Sequence, residues 1–263
     1  MKFTDTYLFR CADNPYVRHP KPWDTYTTLP LSVPISEWLC KTPLTPNAIS
    51  VISLAFAIAS AVAFYFATPL ALVLGAVLFH ISYILDCADG YKARKMNMSS
   101  KIGHWIDHTF DEIKKPILMI GIYAGQFVHQ GSLPLWAWIG GFLYLFSRVL
   151  VKTDSTVKKA PSESDSAPDR QLVRAAGSNM LLTPRQQWLF RNFGIVILFT
   201  SIEAQAIAFV VGPICQVPML GFLVAGSLST LGVLVVDGFL YWRRALRAEA
   251  KAKATSQRDL GVR

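Results

Sequence analysis

A chain of 263 residues that is 52% hydrophobic and only 16% charged lacks the polar surface of a soluble protein, in which about a quarter of residues are charged. The net charge of +9 would suit a nucleic-acid partner, but the basic residues are segregated along the chain as in membrane orientation, which excludes nucleic acid from the reading. Cys11, Cys40, Cys87 and Cys215 form no C-x-x-C pair, so a disulfide framework is not expected.

The opening residues lack the basic start, apolar middle and small-residue cleavage site of a signal peptide, and residues 1–29 read as an irregular cytoplasmic arm. Residues 30–43 predict a short interfacial amphipathic helix with Trp38 and Leu39 toward lipid. Six apolar blocks follow, at about 46–66, 69–85, 116–128 (on a helix starting in polar sequence near Lys101), 133–151, 188–211 and 218–242. They are continuously apolar, where a barrel strand would alternate, and about 20 such residues cross a bilayer as a helix. The expected fold is therefore all-α: a polytopic six-transmembrane-helix bundle over 44–243, with a mobile polar loop at 152–186 and a cytoplasmic tail at 244–263.

Lys and Arg collect on cytoplasmic flanks. The connections near Thr68, at 129–132 and at 212–217 contain neither. Lys2 to Lys21, Lys92 to Lys101, Lys152 to Arg185 and Arg243 onward carry the basic residues, which places both termini and both polar connections in the cytoplasm. Trp136 and Trp138 at one level, and Trp188 and Trp242 at the other, fit aromatic belts.

Residues 86–111, DCADGYKARKMNMSSKIGHWIDHTFD, lie across one cytoplasmic junction. On a helix Asp86, Asp89, Gly90, Ala93 and Arg94 share one face, and Gly103, Asp107 and Asp111 share a face of the next. The short connection between them, with Ser99 or Ser100 as N-cap, predicts antiparallel neighbours whose acidic faces meet. Four carboxylates at a low-dielectric boundary repel one another unless protonated, hydrogen-bonded or neutralised. An all-carboxylate set suits Mg²⁺ or Mn²⁺, and two such ions would clamp a phosphoryl group. Gly90, Ala93 and Gly103 leave room for a ligand, and Arg94 offers charge-assisted hydrogen bonds to phosphate.

The pattern Asp86-x-x-Asp89-Gly90-x-x-Ala93-Arg94, eight residues, then Gly103-x-x-x-Asp107-x-x-x-Asp111 resembles the complete motif of the CDP-alcohol phosphotransferases. The resemblance implies a metal-dependent transferase of phospholipid biosynthesis with a two-metal site at Asp86, Asp89, Asp107 and Asp111. It implies that Asp111 is also the catalytic base, with a CDP donor near Gly90, Ala93, Arg94 and Gly103. Asn47, in Thr45-Pro46-Asn47, resembles the first-helix start of bacterial members. A homodimer in a bacterial cytoplasmic (inner) membrane, its site facing the cytoplasm, is likewise implied. The donor is expected to be CDP-diacylglycerol and the acceptor a polar alcohol, phosphorylated or not, with release of CMP.

Lys114, Lys115, Arg148, Lys152, Arg185 and Arg191 are acceptor-binding candidates, with snorkelling to lipid headgroups as the plainer reading. His104 and His108 stand four residues apart but off the acidic face, as packing or interfacial residues. Glu203 and Asp237 are near-membrane acids with either a functional or a pairing role. Three rival readings stay open: a CDP-linked small alcohol of the choline or ethanolamine type as donor to a lipid alcohol, a cation-binding transporter, and a catalytically silent scaffold.

Overall fold

The computed structural model describes residues 22–157, 199–237 and 242, and the regular elements among them are all helical. The helical chain starts earlier than expected. A π-helical turn over Asp24–Thr28 runs directly into α1 (Leu29–Cys40), so the end of the stretch read as an irregular arm is helix instead. The wide turn has a local reason: Pro30 and Pro34 donate no hydrogen bond, and the Leu29 N–H reaches back to the Asp24 carbonyl.

α2 (Pro46–Tyr65) and α3 (Pro69–Lys95) begin alike. An extended threonine, Thr45 or Thr68, accepts a hydrogen bond from the N–H three residues on, and proline follows it, where a missing N–H costs nothing. α4 (Lys101–Gln130) is capped by Ser100, which accepts the Gly103 N–H at 2.9 Å, and stops at Gly131 in the left-handed conformation, φ 75°. α5 (Leu135–Val157) extends into the segment expected to be a loop from 152; residues 158–186 of that segment lie outside the described residues.

Of the fifth block only 199–211 is described. Thr200 there is extended (φ −137°, ψ −177°) and opens a helix with a capping box: its hydroxyl accepts the Ile202 N–H, and Glu203 accepts the Thr200 N–H at 2.7 Å. Hydropathy does not register this helix start, because Phe199 and Thr200 do not interrupt an apolar run. α6 (Ser201–Ile214) contains a π-helical stretch at Ile207–Val211, and α7 (Pro218–Leu231) continues into a π-helical turn at Gly232–Asp237.

α2 and α3 are long and apolar enough to cross a membrane. Their packing surfaces are small and polar. Ser53 and Ser82 each donate to the other's carbonyl at 2.7 Å, and Ser60 donates to the Gly75 carbonyl at 2.7 Å. Gly125 of α4 lies so near α2 that a Cβ there would stand 2.5 Å from the Tyr65 carbonyl oxygen; Gly140 and Gly226 let α5 and α7 meet in the same way. Tyr144, Phe209 and Phe222 form an edge-to-face core with ring centroids 5.3 to 5.8 Å apart. Outward stand Val51, Ile58, Val62, Leu74, Ile120 and Phe142, an apolar exterior around a small-residue interior that suits a bundle solvated by hydrocarbon.

Candidate active site

One oxygen each from Asp86 and Asp89 on α3 and Asp107 on α4 lie within 4.8 Å of one another. Asp89 is buried and the other two half-buried. Asp111, one turn past Asp107, stands beside this trio and lines a small cavity with Asp86, Tyr83, Lys114, Lys115 and Gln205. Burial, together with the charge of Asp111, raises the carboxyl of Asp107 above its ordinary range.

The two acidic helices do not pack as the simple hairpin expected from their short connection. Each packs more closely against α2 than against the other. The turn between them bends through Asn97 in the left-handed conformation, φ 54°, and α2 supplies polar groups to both helices. Ser50 donates to Asp89, Ser53 accepts from Lys114 Nζ at 2.9 Å, and the Asn47 side-chain oxygen would lie 3.2 Å from a Cβ at Gly103. Sequence reading missed Ser50 and Ser53. Their signal was present, because Asn47, Ser50 and Ser53 repeat every three residues as a polar stripe on an otherwise apolar helix.

The basic acceptor candidates separate. Lys114 is buried and ion-paired with Asp86, inside the acid cluster instead of at its rim. Lys115 donates to Glu112 at 2.8 Å, and Arg148 approaches the same carboxylate at 3.9 Å while its Nε and Nη1 are buried without a hydrogen-bond partner among the described residues. Lys152 lies on α5 but its side chain is outside the description, and Arg185 and Arg191 fall outside the described residues. A Cβ at Gly90 would meet the Arg94 guanidinium at 3.1 Å, so the glycine leaves the space that Arg94 fills. The Ala93 carbonyl accepts the Met98 N–H at 2.9 Å and the Ser99 hydroxyl at 3.2 Å, closing the turn that follows.

His104 and His108 are exposed and supply no ligand atom to the trio. Glu203 has a local role: besides capping α6 it accepts the Trp23 N–H at 3.3 Å. Asp237 ends the described turn, and its side chain lies outside the description. The trio offers oxygen donors alone, which fits a hard divalent cation.

The family model for CDP-alcohol phosphatidyltransferase matches residues 43–212, a stretch that holds the trio, Asp111 and the α2 hydroxyls. The chain belongs to the CDP-alcohol phosphatidyltransferase family. Two members of known name are similar to it. An archaetidylinositol phosphate synthase of Pyrococcus horikoshii is 25% identical over 114 residues, 43% of this chain and 58% of that protein. A CDP-diacylglycerol–glycerol-3-phosphate 3-phosphatidyltransferase of Rickettsia bellii is 37% identical over 68 residues, 26% of this chain and 38% of that protein. The chain thus spans less than two thirds of the length of either relative. This family is one of membrane-associated transferases in phospholipid synthesis, and the aspartate cluster lies within the matched residues.

Proposed function

We propose that this protein transfers a phosphatidyl-type group from CDP-diacylglycerol to a polar, phosphorylated alcohol, releasing CMP on the cytoplasmic side of a bacterial inner membrane that its helices cross six times. The observation that carries the reading is the convergence of Asp86, Asp89 and Asp107 within 4.8 Å of one another. The donor is supported by the name of the Rickettsia relative and the phosphorylated acceptor by both names. A homodimer is part of the same reading.

Asp86, Asp89 and Asp107, with Asp111 beside them, would hold two Mg²⁺ or Mn²⁺ ions. Bound there, the ions would supply charge stabilisation to a phosphoryl group. Asp111 stands off the trio and faces the cavity, so its carboxylate is the one free to take the proton of the acceptor hydroxyl. The acceptor oxygen then bonds to the donor phosphorus distal to cytidine, the bond from that phosphorus to the CMP oxygen breaks, and CMP leaves with the electron pair. Arg94, lying over Gly90, is placed to hold a donor phosphate. Arg148, with two buried nitrogens lacking partners among the described residues, and Lys115 are placed to receive an anionic acceptor, with Lys152, Arg185 and Arg191 as further candidates. Lys114 instead offsets the charge of Asp86.

The test is CMP release by the purified protein in detergent with Mn²⁺, supplying CDP-diacylglycerol and a panel of free and phosphorylated polyols. Release that requires one phosphorylated acceptor is the expected result. No release with any acceptor, alongside reaction of CDP-choline with diacylglycerol, would reverse the donor and acceptor roles. Silence with both would remove the phosphotransfer reading.

A further inference from the structure

We propose that α1 clamps the catalytic end of α3, with Lys92 and Glu37 as its positioning residues. The inference rests on the phosphotransfer reading for its activity readout, while the contacts that carry it lie outside the acid cluster. Tyr91 and Lys95 project from the side of α3 opposite Asp86, Asp89, Gly90 and Ala93, and Lys92, three residues on from Asp89, projects from the flank between. Lys92 is only 2% exposed, and its Nζ donates to the Leu39 carbonyl at 2.6 Å and the Thr42 carbonyl at 2.9 Å. The Leu39 carbonyl, in the last turn of α1, also accepts the Thr42 N–H at 3.1 Å and the Thr42 hydroxyl at 2.7 Å, and the partial negative charge of a helix C-terminus favours an ammonium there. The Tyr91 hydroxyl donates to Glu37, and both Glu37 oxygens take Lys95 Nζ at 2.6 Å.

Lower on α3, Tyr83 donates to Asp24 at 2.7 Å and Trp23 meets His80 edge-on with centroids 6.0 Å apart. The turn before α1, α1 itself and the residues just after it therefore accompany α3 from His80 to Lys95, over every turn that carries a motif residue of that helix. α3 needs such support. Its two acidic residues repel, Gly90 weakens the helix by about 1 kcal/mol, and α4 packs away from it toward α2. Metal ligation and in-line transfer require side chains held to about 0.5 Å. Tyr91 from the back of the helix and Lys92 from its flank, the two positions between Gly90 and Ala93, supply that restraint.

The test uses the full-length protein in detergent: Lys92→Met, Lys92→Arg, Glu37→Lys, Lys95→Glu and the Glu37→Lys/Lys95→Glu swap. Two quantities are read, the Mn²⁺ concentration giving half-maximal thermal stabilisation, and kcat and KM for the donor well below each variant's Tm. Loss of an outer support typically weakens a metal site by about 10-fold or more. Lys92→Met is expected to raise the Mn²⁺ half-saturation and lower kcat by about 10-fold each, with KM little changed. Lys92→Arg should keep most of both, and the swap should recover most of what either single change at Glu37 or Lys95 loses. A lowered Tm in Lys92→Met with wild-type Mn²⁺ half-saturation and kcat would overturn the clamp and leave α1 a mere strut. If Lys92→Met does not fold, the exposed pair decides: wild-type Mn²⁺ half-saturation in both single variants would overturn it equally. Absence of CMP release by the wild type would sink the phosphotransfer reading alone, since the Mn²⁺ readout does not depend on turnover.

Discussion

Asp89 is the most buried member of the acidic trio, and its carboxylate accepts a hydrogen bond from Ser50 across the α2–α3 interface. Removing one partner of a buried charged group costs about 1–3 kcal/mol. Ser50→Ala is therefore expected to lower Tm in EDTA, and to lower it less with saturating Mn²⁺, because a bound cation takes over the neutralisation. An equal drop under both conditions would separate Ser50 from the metal site. Asp111 poses a different question because it stands outside the trio. Asp111→Asn should abolish CMP release while leaving most Mn²⁺ binding intact; retained turnover would remove Asp111 from the base role. The aspartates were legible in the sequence because helical spacing alone puts them on one face. The pairing of Lys114 with Asp86 was not, since spacing says which way a side chain leaves its helix and not which of several partners it meets.

At the scale of elements, helix starts at Thr45, Thr68 and Ser100 follow from hydroxyl caps, two of them with a proline next, which act within a few residues and can be read locally. The helix start at Thr200 follows from the same chemistry, but apolar flanks hid it from a hydropathy reading. The third-body role of α2, wedged against both acidic helices, depends on long-range packing that no local window contains. Glycine positions test that packing. Gly125→Val would drive side-chain atoms into the Tyr65 carbonyl and should cost about 1–3 kcal/mol or more, seen as a lower Tm in detergent. Gly232→Ala meets nothing within 4 Å and should be neutral or stabilise slightly through helix propensity.

The link between α1 and α3 also carries a pH signature. Hydrogen bonds from Lys95 and Tyr91 hold the Glu37 carboxyl below its ordinary value near 4.5. A lowered acid contributes stability that is complete above the unfolded value and is lost as pH falls through the folded one. Wild type and Glu37→Gln should thus differ in Tm at neutral pH and converge below pH 4.5, the difference being small because the pair is exposed. Parallel Tm profiles down to the acid limit would contradict this.

Across the whole molecule, composition and charge placement are sufficient to read a helical, membrane-associated chain, because transfer of side chains into hydrocarbon is a sum over residues. The surface, with large apolar groups outward, and the serine and glycine contacts between helices beside an aromatic core agree with that reading. Residues of α3, α4 and α6 line the cavity beside the acid cluster, and the chain order of its residues carries little information about what such an assembled surface accepts. The account stands on the trio as a divalent-cation site that drives the chemistry. The most direct measurement is CMP release from CDP-diacylglycerol with Mn²⁺ or EDTA, for the wild type and for Asp107→Asn, with Mn²⁺ binding followed on the same samples. Release that needs the ion, and loss of both release and binding in the variant, is the predicted result; release that persists in EDTA, or in a variant that no longer binds Mn²⁺, would contradict it.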